Sequence, residues 1–487
     1  MNVFILILYT YGLFSASHGS IVIDLDKDSP SGKKVVELEP LNTRLEAQNL
    51  YEYLDPSVDP CDNFYLFSCG KWIRTQKKIY GDNDNSSIRD QHTNFNKFRD
   101  GKYDKISEVA RVLQKRRKEC LKTIELDKNE CLQVIDDFAT YAISTLFVTQ
   151  NRKKSEKRYD FVFIEDMIKR IREEFRLLID EKKHIFDEET RNNFLFKLGR
   201  IEYKKDFGES DIFNIEIMND CYAKKGIHYF FPLSDLVNEI KHDKSLSDKN
   251  KDDLKSCRGK IFQVNSVMSE YVYRNAWYNI YDNYFSINSD AFNKPSFSIR
   301  FPNSLNYGFL GFKIAHEIMH AFDSNNYNRT LEGNNKNKFN VTQKSVKHFE
   351  EKSKCFIEQY GMQIESITDK YINGSLVLNE SIADNGGLKL AYKAYMKWLQ
   401  SNGGKDIEVP GFEKFTNEQL FFIGAGRSNC QHTGRYTTEN QINSDTHPPG
   451  EIRTNVALSN YKPFSAAFNC PINSNMNPED KCELWKI

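Results

Sequence analysis

Apolar residues recur at helical spacing through the central part of the chain. Between residues 155 and 200 they alternate at intervals of four and three among lysine, arginine and glutamate, which places them on one face of an α-helix. This stripe consists of Ile164, Ile168, Ile171, Phe175 and Leu178. A similar pattern runs from Asp104 to Phe147, whereas Asp211 to Met218 is more typical of a strand. We therefore expect a mainly helical protein whose apolar stripes pack into its core.

A second amphipathic segment, Phe309 to Asp323, carries side chains suited to metal binding. Its apolar positions at helical spacing are Phe312, Ala315, Met319 and Phe322. His316 and His320 are one helical turn apart, so both imidazoles lie on one face and can bind two corners of a zinc tetrahedron, with Glu317 beside the open corner. This HExxH pattern is expected by chance only about 0.01 to 0.02 times in such a chain. The segment therefore predicts a zinc site.

A catalytic zinc usually has three protein ligands, so a third ligand is expected elsewhere in the chain. Glu380 and Asp384 share one helical face, where Glu380 can bind the metal and Asp384 can accept the second ring N–H of a liganding histidine. Further along, one loop presents Asp445, His447 and Arg453. Beside a zinc site, such groups can stabilise the negative charge that develops on a carbonyl oxygen during peptide hydrolysis.

The composition is that of a globular protein without a bias toward polyanions. The chain has 487 residues, of which 39% are hydrophobic and 28% are charged, and this length predicts two domains or one large two-lobed domain. Lysine plus arginine equals aspartate plus glutamate, with 68 of each, so the net charge is zero. Because no overall field attracts polyanions, we expect no nucleic-acid partner.

The first residues are typical of an export signal. Val3 to Phe14 is apolar and is followed by small residues, so residues 1–19 are interpreted as a signal peptide and Ser20 as the first mature residue. An uncleaved anchor, which would give a type II membrane protein, stays open because no basic residues precede this stretch. No other membrane span is expected. Residues 20–48 are interpreted as a leader or linker.

Cysteines and glycosylation sequons agree with secretion. The ten cysteines never form a CxxC pair, which indicates five disulfides in an exported chain, although spacing alone cannot pair them. Glycosylation is predicted at Asn85, Asn328, Asn340 and Asn373, whereas the sequon at Asn379 adjoins a proposed ligand and is expected to be unoccupied.

Several further segments are distinctive in both composition and order. They are Asp59 to Tyr65, Cys69 to Trp72, Asn275 to Tyr278, Ser304 to Gly308, Asn385 to Leu388, Ala467 to Cys470, and Met476 to Pro478 with Cys482 and Trp485. With the zinc-site segments, they resemble the neprilysin and endothelin-converting-enzyme family of zinc endopeptidases. The resemblance implies a gluzincin-type α+β fold, mainly helical with a small mixed sheet. It also implies a discontinuous catalytic lobe of residues 49–119 and 258–487 around a reduced helical lid lobe of residues 120–257.

The resemblance implies a role for each residue of the metal centre. His316, His320 and Glu380 would bind one zinc ion. Glu317 would be the base that activates water, and Asp384 would orient a histidine.

A second group of residues would act on the substrate. The resemblance implies that His447, supported by Asp445, stabilises the oxyanion and that Arg453 binds a substrate carbonyl. Asn275 and the backbone of Ala276 would hold the peptide in extended form.

The resemblance also implies disulfide pairs. These are Cys61–Cys470, Cys69–Cys430, Cys120–Cys257 and Cys355–Cys482, which leave Cys131 to pair with Cys221.

The chain departs from the family in four places. The helical lobe is shorter, Ile287 to Asp290 replaces a Phe-Pro-Ala-Gly stretch on the substrate-facing edge strand, Ile79 occupies the position of a carboxylate-binding arginine, and Lys313 replaces an apolar pocket residue.

These observations favour a secreted zinc endopeptidase that hydrolyses extracellular peptides. The main alternative is a catalytically weak protein that keeps the zinc fold and sequesters peptides or an extracellular partner, which the altered strand and shorter lobe would suit. A purely structural zinc protein is disfavoured because structural sites usually have a fourth protein ligand. The sequence decides neither the physiological substrate nor the oligomeric state.

Overall fold

The computed structural model describes most of the chain after residue 47. The described residues are 20–23, 34–37, 48–81, 83–84, 87–101, 107–205, 211–225, 232–329, 341–408 and 411–484. The predicted signal peptide, the sequons at Asn85 and Asn340, and Trp485 lie outside these residues.

Helices form most of the described structure. They are α1 (Phe64–Tyr80), α2 (Thr93–Arg99), α3 (Glu108–Lys122), α4 (Lys128–Arg158), α5 (Asp160–Glu181), α6 (Glu188–Gly199), α7 (Ile215–Lys224), α8 (Leu233–Asn250), α9 (Cys257–Gln263), α10 (Met268–Tyr271), α11 (Asn303–Asn306), α12 (Phe312–His320), α13 (Gln343–Gly361), α14 (Leu378–Ser401), α15 (Asn417–Arg427), α16 (Arg435–Ser444), α17 (Gly450–Ser459) and α18 (Lys462–Ala467). A π-helical turn, Tyr307–Gly311, leads directly into α12. The expectation of a mainly helical protein is confirmed.

The strands form three small sheets. They are β1 (Ser20–Ile23), β2 (Lys34–Glu37), β3 (Ser87–Arg89), β4 (Glu202–Lys204), β5 (Ala276–Asn279), β6 (Tyr284–Ile287) and β7 (Gln431–Thr433). The pairs β1–β2 and β3–β7 are antiparallel. The third sheet has the order β4–β6–β5 and is mixed, because β6 pairs parallel with β4 and antiparallel with β5. This sheet packs beside α12 through β5 and β6, as the resemblance implied.

Helix α12 packs closely against α14 because two glycines of α14 face it. A Cβ atom on Gly387 would lie 2.7 Å from the backbone nitrogen of His316, and one on Gly386 would lie 2.6 Å from Cε of Met319. Contacts this short exclude any larger residue, at least at Gly387, where the opposing atoms are backbone. The Asn-Gly-Gly-Leu segment therefore sets the distance between the two helices that carry the predicted ligands.

Buried apolar side chains form two main clusters. The boundary between these clusters does not follow the boundaries of the predicted lobes. One cluster contains residues from α3, α4, α7, α8 and α9. The other surrounds α12 and α14 and includes α5 and α6, which fall inside the predicted lid lobe of residues 120–257. The apolar stripe of α5 is buried in this second cluster, with Phe175 packed edge-on against Phe322. This packing attaches α5 and α6 to the predicted catalytic lobe.

The strand prediction for Asp211 to Met218 is wrong. Residues Asp211–Phe213 form a 3₁₀ turn, and helix α7 begins at Ile215. The cause is local, because the Asn214 side chain accepts hydrogen bonds from the backbone N–H groups of Glu216 and Ile217 and so caps the helix.

Three of the five expected disulfides are confirmed and two are wrong. Cys61–Cys470, Cys69–Cys430 and Cys355–Cys482 form as expected. The other bonds are Cys120–Cys131 and Cys221–Cys257 rather than Cys120–Cys257 and Cys131–Cys221. The reason is the short connection between α3 and α4, which brings the Cα atoms of Cys120 and Cys131 to 5.6 Å, within the normal range for a disulfide.

Within the described residues, α4 is long and apolar enough to cross a membrane by length and composition alone. However, 67% of its most apolar 18-residue window is buried inside the protein. The chain's own core therefore covers this helix, as is common for the central helix of a packed domain.

The corrected pairing can be tested by peptide mapping of the unreduced protein. Trypsin can cut after Lys122 and Lys128, so the Cys120 and Cys131 peptides should be recovered as one disulfide-linked species, and Cys221 should be recovered with Cys257. The three confirmed pairs serve as internal references. Recovery of Cys120 linked to Cys257 would contradict the fold described above.

Candidate metal centre and active site

Helix α12 presents two histidines to one point. His316 and His320 lie on successive turns of the helix, and their Nε2 atoms are 3.0 Å apart. His316 is buried, while His320 is slightly exposed. This arrangement is the one that the spacing of the HExxH segment predicted.

Glu380, at the start of α14, completes the group. Its Oε2 lies 3.3 Å from Nε2 of His316, and its Oε1 lies 3.5 Å from Nε2 of His320. One ligand atom from each of the three residues can be chosen so that all lie within 4.8 Å of one another. No other group of three or more potential ligands was found among the described residues.

The carboxylates around the histidines show that this group suits a cation. Nδ1 of His316 lies 2.9 Å from Oδ1 of Asp384, and Nδ1 of His320 lies 2.7 Å from Oδ2 of Asp323. If a ring is neutral with its proton on Nδ1 beside the carboxylate, the lone pair of Nε2 faces Glu380. Two lone pairs and a carboxylate that face one another repel unless a positive charge lies between them. The residues thus fit a zinc ion held by two nitrogens and one oxygen.

The pKa values point to the same need for positive charge. Burial lowers the pKa of His320, but Glu380 and Asp323 outweigh it and raise that pKa to about 10. Burial raises the pKa of Glu380, yet His320, His447 and His316 hold it well below its usual value. Glu380 is therefore ionised, as a metal ligand must be.

Asp384 holds His316 in place and is itself held by Arg453. The Arg453 Nε and Nη2 atoms donate to the two Asp384 oxygens at 2.8 and 2.7 Å. Burial raises the pKa of Asp384, but Arg453 and His316 lower it far below its usual value. The predicted orienting role of Asp384 agrees with this geometry, and Arg453 gains a positioning contact that the sequence did not suggest.

Two residues that contribute to the metal centre were missed from the sequence. Asp323 lies just after α12 and binds Nδ1 of His320, and its position three residues after that histidine could have indicated this role. Lys197 is fully buried and donates from Nζ to the backbone oxygens of Ala321 and Asn326, at 2.6 and 2.7 Å. It thereby caps the end of α12, and no local sequence signal reveals such a distant contact.

Glu317 lies on α12 between the two histidines and is buried. Burial raises its pKa, and Glu380 adds to the effect, while His316, His320 and Lys313 oppose it. A carboxylate whose pKa is raised toward neutrality is better suited to accept a proton and release it again.

His447 reaches the same site from the loop before α17. Its Nδ1 lies 2.9 Å from Oδ1 of Asp445, and its Nε2 lies 3.2 Å from Oε2 of Glu380. The side chain is 44% exposed, so one face of the ring is open to a bound ligand. The structure thus brings Asp445, the predicted supporting residue, and His447, the predicted oxyanion donor, together at the metal centre.

The backbone at Asn275 and Ala276 borders the site along α12. Strand β5 pairs only with β6 among the described strands, so its outer edge is available to another extended chain. No described residue hydrogen-bonds to the side chain of Asn275, which is half-buried. The strand is anchored by the buried Arg274, whose guanidinium lies 2.5 Å from Asp90 and 3.6 Å from Asp290.

The expectation that Ile287 to Asp290 alters the edge strand is wrong. Ile287 ends β6, the central strand, and Ser289–Phe292 forms a buried 3₁₀ turn. The edge strands of this sheet are β4 and β5. The residues of this stretch that differ from the family are therefore buried in the interior, where Asp290 pairs with Arg274.

The other two departures from the family, Ile79 and Lys313, lie on α1 and α12. Ile79 is 63% exposed on α1. Lys313 lies on α12 one turn before His316, and its Nζ donates to Oδ1 of Asn429 at 2.9 Å.

The fold and the metal centre together define a helical metallopeptidase scaffold of the HExxH type with a third, glutamate ligand. Residues 275–484 match the model of Peptidase family M13. Neprilysin-1 of Caenorhabditis elegans is 32% identical over 357 residues, which are 73% of this chain and 45% of that protein. Human neprilysin is 33% identical over 329 residues, which are 66% of this chain and 42% of that protein.

Over these ranges the chain is similar to the neprilysin and endothelin-converting-enzyme family of zinc peptidases. A solved structure supports the fold independently. The zinc metalloprotease Zmp1 of Mycobacterium tuberculosis, in complex with an inhibitor, matches with a TM-score of 0.54 at 20% identity, covering 73% of this chain and 50% of that one. The chain spans less than half the length of the curated relatives named above.

Asp384→Asn tests how the metal centre is held. The substitution keeps the shape of the side chain but removes the charge that fixes the His316 tautomer and pairs with Arg453, so zinc affinity should fall roughly 10- to 100-fold. Competition with a fluorescent zinc chelator measures the change. Asp180→Asn, at an exposed position on α5, is the matched control and should bind zinc like the unmodified protein. Equal zinc affinity in Asp384→Asn would show that Asp384 does not orient the ligand.

Proposed function

We propose that this protein is a secreted, zinc-dependent endopeptidase that hydrolyses extracellular peptides. The observation that carries the proposal is the convergence of His316, His320 and Glu380 with Glu317 beside them and His447 opposite. One zinc ion per chain fits the single three-residue ligand group found in the described residues. An open coordination position and an adjacent carboxylate are typical of catalytic rather than structural zinc sites.

Glu317 is the proposed general base. Zinc, when bound, polarises the peptide carbonyl and lowers the pKa of a nearby water. Glu317 takes a proton from that water as its oxygen attacks the carbonyl carbon. The same carboxyl group then gives the proton to the nitrogen of the peptide bond, so that the C–N bond breaks and an amine and a carboxylate leave. The raised pKa of Glu317 supports both transfers.

His447 is the proposed oxyanion donor, and Asp445 supports it. The bond from Nδ1 to Asp445 fixes the ring direction and leaves Nε2 on the side of the metal centre. As negative charge develops on the carbonyl oxygen, a proton on Nε2 can stabilise it. Arg453, beside Glu380, is the proposed donor to a substrate carbonyl, in addition to its contact with Asp384.

The edge strand β5 is the proposed substrate-binding strand. An extended peptide can add to this edge through backbone hydrogen bonds with Ala276, while the amide of Asn275 binds the peptide backbone. The strand packs along α12, so a peptide bound there passes the metal centre. This geometry selects extended, unstructured peptides.

Five disulfides favour an oxidising compartment and so support the proposed extracellular location. Glycosylation at Asn373, which is exposed, agrees with that location.

The division into a catalytic lobe and a reduced lid lobe is part of the proposal. A shorter lobe over the site would admit larger peptides than the full-length family architecture does.

Glu317→Gln is the decisive variant. The amide keeps the shape of the side chain but cannot take the proton, so kcat should fall roughly 100- to 10,000-fold while zinc remains bound. Hydrolysis of a mixed library of unstructured peptides, read by mass spectrometry with and without a zinc chelator, provides the measurement. Glu350→Gln on the exposed surface of α13 is the matched control.

The outcomes separate the proposal from its main alternative. Chelator-sensitive cutting that is lost in Glu317→Gln would support the endopeptidase. Zinc binding without cutting of any library peptide by the unmodified protein would favour a sequestering protein instead. Retention of most activity in Glu317→Gln would rule out the role assigned to this residue.

His447→Ala tests the oxyanion donor. Because the group acts mainly on charge that develops in the transition state, kcat should fall roughly 100- to 1,000-fold with little change in KM. Steady-state kinetics on one cleaved peptide separate the two constants. His242→Ala, at an exposed position on α8, should leave both unchanged. A rise in KM with unchanged kcat would instead assign His447 to ground-state binding.

A further inference from the structure

Lys313 places a positive charge beside the metal centre without a carboxylate partner. It lies three residues before His316 on α12, so that about one helical turn, roughly 5 Å along the axis, separates the two residues. Its ammonium donates to the neutral amide oxygen of Asn429 at 2.9 Å. No aspartate or glutamate among the described residues lies within ion-pair distance of it. Its other printed neighbour is the Phe312 ring, whose centroid lies 5.6 Å from Nζ, so two of its three N–H donors have no hydrogen-bond acceptor among the described residues.

The charges around Lys313 do not neutralise it. Burial and the neighbouring Arg453 lower its pKa to about 8, although Asp384, Glu317 and Glu380 act in the opposite direction. The Asp384 carboxylate already pairs with Arg453 and His316, and the Glu380 carboxylate faces the two histidines. The ammonium stays charged at neutral pH and lacks a direct counter-ion, which is unfavourable for a largely desolvated charge.

The position of the ammonium is fixed rather than free to move into water. Asn429, which accepts from it, is held in turn by Thr454 on α17 and adjoins the disulfide-bonded Cys430. The residue as a whole is nevertheless only half-buried, so part of Lys313 is exposed. An ammonium that is held in place and has no carboxylate within ion-pair distance among the described residues can bind an anion that arrives with the substrate.

From this geometry we infer that Lys313 determines specificity by binding an acidic side chain, aspartate or glutamate, at a peptide residue that adjoins the cleaved bond. The inference rests on the proposed peptidase function and names its substrate class. The carboxylate would accept hydrogen bonds from the two unpartnered ammonium donors. An apolar side chain at the same place would leave them without partners, and a lysine or arginine would be repelled.

Matched peptides provide the test. One parent peptide that the protein cleaves is synthesised with glutamate, glutamine, leucine or lysine on either side of the cut bond. Glutamate and glutamine differ only in charge, so the ratio of their kcat/KM values isolates the ion pair. Because a hydrogen bond to a charged group contributes more than a neutral one, the unmodified protein should favour glutamate roughly tenfold or more on one side of the bond.

Three variants of Lys313 make the test specific. Lys313→Met keeps the length of the side chain and should reduce the glutamate-to-glutamine ratio to about one, while Lys313→Arg should retain it. Lys313→Glu should reverse the preference in favour of lysine. Lys347→Met, on an exposed part of α13, is the control and should keep the original ratio. Zinc content and thermal unfolding identify any variant that fails to fold.

Binding measurements keep the inference separate from catalysis. The same peptides are titrated by calorimetry against zinc-loaded Glu317→Gln and against Glu317→Gln with Lys313→Met. A glutamate preference that depends on Lys313 would support the inference even if turnover proves to be absent. A ratio near one in the unmodified protein, or a ratio that survives Lys313→Met, would overturn it while leaving the peptidase proposal intact. Failure to cut any peptide would count against the peptidase proposal alone.

Discussion

The close packing of α12 against α14 is the contact on which the metal centre depends. Gly386 and Gly387 present no side chain to α12, so the backbone of His316 can approach α14 directly. At this separation Glu380 and Asp384, one turn apart on α14, reach the two ring nitrogens of His316. A larger residue at Gly387 would push the helices apart, and the third ligand would move away from the other two. The glycines and the ligands therefore form one structural unit.

Charge imposes a second constraint on this unit. The centre buries Glu317, Glu380, Asp384 and Asp323 close together, and such a group is costly without compensating positive charge. Arg453 compensates Asp384 by a bidentate pair, and a cation bound by the histidines and Glu380 would compensate the rest. Lys197, buried at the end of α12, caps the helix by donating to two backbone oxygens. Lys313 is the exception, because its ammonium donates to a neutral amide and has no carboxylate within ion-pair distance among the described residues.

Long-range disulfides hold the surrounding scaffold. Cys61, just before α1, and Cys69, within α1, form disulfides with Cys470 and Cys430, which are more than 350 residues away. These two bonds restrict the unfolded chain most because they close the largest loops. By contrast, Cys120–Cys131 and Cys221–Cys257 are local and stabilise the helical cluster of α3, α4, α7, α8 and α9. The long bonds therefore act on the part of the molecule that carries the site, and the short ones act on the part beside it.

The sequence by itself determined the local chemistry of this protein. Helical periodicity identified α5 and α12, and residue spacing placed His316, His320 and Glu317 on one turn of helix, since these features depend only on neighbours in the chain. Residue types and spacing also suggested Glu380, Asp384 and the loop of His447, and the resemblance assigned their roles. Only the tertiary structure decided contacts between distant segments: the capping of α12 by Lys197, the pair between Arg453 and Asp384, the local pairing of Cys120 with Cys131, and the central position of β6. Such contacts depend on how helices pack in three dimensions, and the pattern of residues within any one segment does not encode them.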